Sequence, residues 1–75
     1  MATILSKTFD TVHAALILQV RDALGNVSSH TGYVTGPQPI TDVDAWITQV
    51  CADVDANAAA IQAAFSAAGW TPNGV

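Results

Sequence analysis

The run Asp53-Val-Asp55-Ala-Asn57 has the spacing most suggestive of metal binding in this chain. Carboxylate and amide oxygens at alternate positions match the first three ligands of an EF-hand calcium loop. The sixth loop position needs glycine for a sharp turn but is Ala58, and the twelfth needs a bidentate glutamate but is Ala64. The neighbouring alanines favour helix over loop. We therefore predict no calcium site here and interpret these side chains as a solvated helix face.

Three other side chains could take part in catalysis or metal binding. His13 and His30 are of the type that serves as general base, and Cys51 is the sole thiol. No nucleophile elbow, oxyanion loop or Cys/His ligand spacing accompanies them. We predict structural or solvent-facing roles for the histidines and a small buried hydrophobe for Cys51. The prediction is accordingly no enzyme activity, no metal and no cofactor.

Composition limits the classes of partner. The 75 residues hold six Asp and no Glu against Lys7 and Arg21, which gives a net charge of −4. Two basic residues cannot neutralise the phosphates of a nucleic acid. No apolar stretch reaches the roughly 20 residues of a membrane span. No signal peptide is visible, so we expect synthesis in a host cytoplasm without secretion.

The core predicted for this chain is small. Hydrophobic residues make up 51% of the sequence, but fourteen of them are alanines, which bury little area. Only 11% of residues are charged, against about 25% in an ordinary soluble domain. A single domain of this length is marginal without disulfides or metals. We expect self-association, or docking on other subunits, to supply the missing stability.

The second half of the chain predicts a long helix over residues 42–68. A Pro/Gly stretch precedes it, Asp42 and Asp44 suit its first turn, and Gly69 should end it with Trp70 capping onto Phe65 in a Schellman motif. Pro72 then blocks continuation. Steps of three and four residues define one apolar stripe: Val43, Ile47, Val50, Val54, Asn57, Ile61, Ala64 and Ala68.

The stripe has two interpretations. Its near-heptad spacing with β-branched residues favours a coiled coil or bundle of three or more strands, in which Asn57 would fix the register. Alternatively the helix packs on its own domain and Asn57 lies at an edge. Asp42-Val-Asp44 recurs as Asp53-Val-Asp55 three helical turns later, which predicts a mild acidic stripe. That stripe is a solvated face or a contact for a basic partner.

The first half fits both helix and strand periodicity. Between Asp22 and Gly25 the residues suit a type I turn, with Gly25 as a left-handed bulge residue. A helix ending there would leave about sixteen residues as a structureless loop, which is uncommon. We favour a hairpin, although Leu24 would then occupy an exposed turn position. The helical interpretation, over residues 9–24, stays open.

Two resemblances accompany these patterns. Arg21-Asp-Ala-Leu-Gly-Asn-Val27 resembles the turn of YD (Rhs-type) repeats, which carry Asp-x-x-Gly and then a polar residue, with Arg21 where that motif has Tyr. The likeness spans about seven residues and implies a turn. The whole chain resembles small structural proteins of tailed bacteriophage particles, being short, lysine-poor, rich in Ala, Thr and Val, and ending in a Gly-Trp-Thr-Pro tail. This second resemblance implies a virion component.

The predicted fold is one α+β domain in which a β-hairpin packs with one long C-terminal helix. Its parts are an N-terminal arm or edge strand at 1–12, a hairpin at 13–35, a Pro/Gly linker at 36–41, the helix at 42–68 and a tail at 69–75. Residues 3–9 could add a third strand to the hairpin. The alternative is an all-α helical hairpin of 9–24 and 42–68.

The predicted function is that of a non-enzymatic structural subunit of a larger symmetric assembly, with a virion (capsid decoration, connector, or tail or fibre component) as its setting. Expected partners are copies of the chain, as trimers or higher oligomers, or other subunits; nucleic acid, membrane and small-molecule substrates are not expected. The alternative is a small acidic regulatory or inhibitory protein that binds a host partner. The interface candidates are Leu24, Val43, Ile47, Val50, Val54, Asn57, Ile61, Phe65 and Trp70.

Overall fold

The computed structural model describes residues 1–70 of the chain. Its sheet is antiparallel, with strand order β1-β2-β3, and a single helix follows. The α+β prediction with three strands is confirmed, and the helical-hairpin alternative is wrong because residues 15–21 are a strand. The predicted tail beyond Trp70 lies outside the described residues. The elements are β1 (Thr3–Asp10), β2 (Ala15–Arg21), β3 (Val27–Tyr33) and α1 (Val43–Ala67).

The turn between β2 and β3 is organised by the carboxylate of Asp22. Its Oδ1 accepts hydrogen bonds from the N–H groups of Leu24 and Asn26, both at 2.9 Å. The Gly25 N–H donates to the Asp22 carbonyl at 3.1 Å, and Gly25 has a φ of +89°. This left-handed residue after a type I turn matches the right-handed twist of a hairpin. Leu24, predicted to be exposed, is half-buried.

The turn between β1 and β2 uses the same device at Asp10. Oδ1 of Asp10 accepts from the N–H groups of Val12 at 2.9 Å and His13 at 3.3 Å. Oδ2 of Asp10 lies 2.7 Å from Nδ1 of His13. The residue that reverses the chain is Ala14, with a φ of +51°. Alanine in this left-handed region stores strain of about 1–2 kcal/mol.

The core lies between one face of β2 and the first two-thirds of α1. Leu18 and Val20 are 1% and 0% exposed and pack with Val50 and Val54. Because side chains alternate along a strand, Leu18 and Val20 of β2 face the helix, whereas Gln19 and Arg21 lie on the opposite face and are exposed. The β3 side chains follow the same alternation, since Val27, Ser29, Thr31 and Tyr33 are all exposed.

Gly32 lets the helix approach the sheet closely. A Cβ atom at this position would lie 2.8 Å from the Trp46 ring and would also clash with the Ile40 side chain. The Trp46 ring therefore sits in a notch that only glycine leaves open. This contact positions the first turns of α1 over β3 and the chain segment that follows it.

Both ends of α1 are capped. Asp42 is the N-cap, and its carboxylate accepts from the Ala45 N–H at 3.0 Å. At the other end, the Trp70 N–H donates to the Phe65 carbonyl at 2.7 Å and the Gly69 N–H to the Ser66 carbonyl at 3.0 Å. These two bonds form the predicted Schellman motif. Pro72, predicted to block further helix, lies outside the described residues.

The helix is longer than the sheet it covers. Its 25 residues span about 37 Å at 1.5 Å per residue, whereas a seven-residue strand spans about 24 Å. The buried helix residues are Val50, Val54 and Ala58, so the core stops at Ala58. Asn57, placed in the apolar stripe by sequence, is exposed, and Ala58 takes the buried position. The last helical turns project beyond the packed region.

Candidate interaction surfaces

An apolar groove runs between β1, β2 and the first turns of α1. It has a volume of about 160 Å³. Phe9 and Val43 form its rim and are 48% and 40% exposed. A groove of this kind can receive an apolar side chain of a protein partner. Its lining consists of Lys7, Thr8, Phe9, Leu16, Ile17, Leu18, Val43, Trp46 and Ile47.

A second hollow, lined mainly by polar residue types, lies at the other end of the sheet and has a volume of about 290 Å³. Within it, the Ser28 hydroxyl and Nε2 of His30 lie 2.8 Å apart. A serine–histidine pair acts as a nucleophile only with an orienting carboxylate and oxyanion donors. Within residues 1–70 no carboxylate is hydrogen-bonded to His30. The hollow is lined by Asp22, Asn26, Ser28, His30, Asp53, Val54, Asn57 and Ile61.

The other candidate histidine, His13, has a clear local partner. Its hydrogen bond to the Asp10 carboxylate lowers the pKa of Asp10 below the ordinary aspartate value, with the N–H groups of Val12 and His13 acting in the same direction. Partial burial of the carboxylate opposes this shift. The pair lies at an exposed turn and holds that turn closed.

The carboxylates that resemble an EF-hand start lie on α1 and not on a loop. Asp53 accepts a hydrogen bond from the Gln49 side-chain amide at 2.8 Å. Asp42, at the start of the acidic stripe, is engaged as the helix N-cap. Within residues 1–70 no group of three or more His, Cys or acidic side chains could hold a metal ion. In the same range, no helix is long and apolar enough to cross a bilayer.

The structure divides the interface candidates into buried and accessible residues. Val50 and Val54 lie in the chain's own core, which corrects their assignment as interface residues: they pack on β2. Leu24, Ile47 and Phe65 are half-buried. The accessible candidates are Val43, Asn57, Ile61 and Trp70.

Sequence reasoning missed the exposed apolar residues of the strands. Ile4 and Phe9 on β1 and Val27 and Tyr33 on β3 are all exposed. Their accessibility depends on which face of the sheet the helix covers. The usable signal was strand alternation: once a hairpin is assumed, the odd-numbered residues of β3 share one face.

The two edges of the sheet differ in how they are protected. The pairing of β1 with β2 is interrupted by a bulge between Ile4 and Ser6, and Lys7 follows. Bulges and lysines are devices that keep an edge from pairing with another chain. In contrast, β3 pairs with β2 in unbroken register over residues 27–33, and it holds no charged residue and no proline. The β3 edge therefore lacks these protections.

The backbone groups on the outer side of β3 can be assigned from the ladder. The Val34 N–H donates to the Ala14 carbonyl at 3.1 Å, which shows that even-numbered residues of this strand bond to β2. Residues alternate between neighbours, so the odd-numbered residues point outward. Of these, Tyr33 already accepts a hydrogen bond from the Ile40 N–H at 2.9 Å.

Three residues of β3 therefore present outward N–H and C=O groups: Val27, Ser29 and Thr31. Among residues 1–70 no hydrogen-bond partner is found for these groups. The structure thus combines an apolar groove, a projecting helix end and one unpaired strand edge. No protein-family model, curated protein or solved structure matches this chain.

Proposed function

We propose that this protein is a non-enzymatic structural subunit of a larger symmetric protein assembly, and that the assembly is a virion. The observation that carries the proposal is the excess of accessible apolar side chains over buried ones. Leu18 and Val20 are the largest fully buried side chains of the described residues. The exposed large hydrophobic residues are Met1, Ile4, Leu5, Phe9, Val12, Val27, Tyr33, Val43, Ile61 and Trp70.

This imbalance favours a partner because exposed apolar surface is stabilised by being removed from water. Extended apolar patches on a soluble domain commonly mark protein interfaces. The groove rimmed by Phe9 and Val43 and the projecting end of α1 offer two such surfaces on opposite ends of the molecule. A subunit with two separated surfaces can contact two neighbours in a symmetric assembly.

Composition supports the virion as the setting. Only 11% of the residues are charged, which suits a surface covered by neighbours better than one exposed to water. The chain also resembles small structural proteins of tailed phage particles in its length, its scarcity of lysine and its Ala/Thr/Val content. The alternative, an acidic regulator, gains no support from Asp42 and Asp53, which bond to groups of their own helix.

The test is sedimentation of the purified protein over a wide range of concentrations. We expect species heavier than the 7.7 kDa chain. Val43→Asp should weaken association because it places a carboxylate on the rim of the apolar groove. Ala45→Asp is the matched control, since it adds the same charge in the same helical turn at an exposed position outside the groove lining.

A stable, cooperatively melting monomer at every concentration would overturn the proposal. If both aspartate substitutions weakened association equally, the groove would not be an association surface, because the change in net charge alone would explain the effect. The virion setting is tested by expressing the chain with its neighbouring genes. Co-purification with assembled particles on a density gradient is the expected result, and its absence from the particles would contradict that setting.

A further inference from the structure

We infer that β3 pairs with the β3 strand of a second copy, so that two three-stranded sheets form one continuous six-stranded sheet. This inference rests on the proposed function and names one partner in the assembly: the chain itself. An unprotected edge strand of sufficient length is a template for strand addition. In this chain the bulge and Lys7 on β1 leave β3 as the unprotected edge.

The outward backbone groups determine the register of this pairing. Antiparallel pairing of the two copies about a twofold axis at Ser29 sets Ser29 against Ser29 and Val27 against Thr31 of the second copy. Every outward N–H and C=O of these three residues then has a partner, giving six backbone hydrogen bonds. An axis at His30 would instead set Val27 against Tyr33, whose carbonyl already bonds to Ile40. The Ile40 contact therefore excludes the His30 axis, and an axis at Ser28 would leave Thr31 without a partner among the three residues, so Ser29 is the axis that pairs them all.

The side chains of β3 are self-complementary in this register. Val27 of one copy meets Thr31 of the other, and both residues are β-branched. The two Ser29 hydroxyls meet across the axis. Such cross-strand pairs stabilise sheets, whereas like charges directly opposite destabilise them. Residues 27–33 include no charged residue. Two copies of a chain with net charge −4 can therefore meet along this strand without like charges facing each other. This uncharged, matched strand favours a second copy as the partner.

The helices do not obstruct the pairing. In each copy the core contacts of α1 are with β2, through Leu18, Val20, Val50 and Val54, and Trp46 in its first turn also reaches Gly32 of β3. The β2 strands of the two copies would lie three strand spacings apart, or about 14 Å. Helices packed side by side need only about 8–10 Å between axes. Both helices therefore fit on the same face of the six-stranded sheet.

A charge-swap experiment tests the register directly. Ser29→Lys or Ser29→Asp, each alone, places like charges opposite one another at the axis and should weaken association about tenfold or more. An equimolar mixture of the two variants should restore it, since the opposed charges then attract. Thr3→Lys and Thr3→Asp are the matched controls, because Thr3 is an exposed residue of the other edge strand and lies outside the groove lining. These controls should behave like the wild-type protein.

Amide hydrogen exchange tests the same inference in the unmodified protein. The N–H groups of Val27, Ser29 and Thr31 should become protected as concentration rises, while those of Ser28 and His30 are protected throughout. Edge pairing would be overturned if the Ser29→Lys variant associated as strongly as the wild-type protein and the amides of Val27, Ser29 and Thr31 exchanged freely. The proposed function would stay intact in that case. A monomeric wild-type protein at all concentrations would overturn both.

Discussion

The two turns of the sheet are built on the same device, and the residue type that adopts positive φ differs between them. In each, an aspartate Oδ1 accepts two backbone N–H groups: Asp10 from Val12 and His13, and Asp22 from Leu24 and Asn26. The residue with positive φ is Gly25 in the second turn but Ala14 in the first. The second turn is therefore relaxed, and the first carries strain that its hydrogen bonds must offset.

The carboxylate of Asp22 gives the largest expected effect. Asp22→Ala leaves the N–H groups of Leu24 and Asn26 without their acceptor and should destabilise the fold by about 1.5–3 kcal/mol. Asp22→Asn keeps an acceptor oxygen and should cost clearly less. Urea unfolding of the three proteins measures the difference. Equal losses for both substitutions would show that charge, and not the acceptor geometry, holds this turn.

Replacing the glycine of the second turn should give the second-largest loss of stability. Gly25→Ala puts a Cβ on a residue with φ of +89° and should cost about 1 kcal/mol. Nothing lies within 4 Å of that Cβ, so the cost is conformational and not steric contact with neighbours. Gly25→Asn should cost less, because asparagine tolerates left-handed backbone. The order of the two melting temperatures decides this prediction.

Replacing the strained alanine of the first turn should increase the free energy of unfolding. Ala14→Gly relieves the left-handed strain at a cost in chain entropy and should stabilise the protein by about 0.5 kcal/mol. Ala23→Gly is the matched control in the second turn, where Ala23 has negative φ; it should destabilise the protein. The same sign for both substitutions, measured by urea unfolding, would contradict the contrast between the turns.

The smallest effect is the pH dependence of the first turn. The folded state lowers the pKa of Asp10, so the ionised carboxylate contributes stability above the ordinary aspartate pKa. That contribution is lost as pH falls through the lowered value. Asp10→Asn should remove it, so the stability difference between wild type and variant should shrink in acid. A difference that is constant through the acid range would show that the His13 contact does not stabilise the ion.

The same contrast explains which turn the sequence predicted. Asp22 and Gly25 are the residue types favoured at the first and last positions of a type I turn, so the hairpin was predictable. Ala14 has no such signal, because alanine seldom adopts positive φ and is a strong helix former. A helical interpretation of residues 9–24 stayed open for that reason. The pairing of β1 with β2, together with the hydrogen bonds to Asp10, imposes this conformation.

The sequence predicted the two ends of the helix correctly and its buried face less accurately. Asp42 and Gly69 are cap residues whose role follows from local chemistry. Alternating steps of three and four residues, which amount to a seven-residue repeat, place Asn57 in the predicted stripe. A straight helix on a sheet keeps 3.6 residues per turn, so the face drifts from that repeat and reaches Ala58. The list of interface candidates has the same error, since only tertiary packing shows which apolar residues are already buried in the chain's own core.

The contact between Trp46 and Gly32 gives the protein a built-in optical reporter. Trp46 is half-buried against the sheet, while Trp70, at the far end of α1, is 67% exposed. Their fluorescence should differ, with Trp46 emitting at shorter wavelength because its ring is shielded from water. Undocking of the helix should shift the Trp46 emission alone. Replacing Trp70 with Phe would isolate that signal, so the spectrum of one residue could follow helix docking in real time.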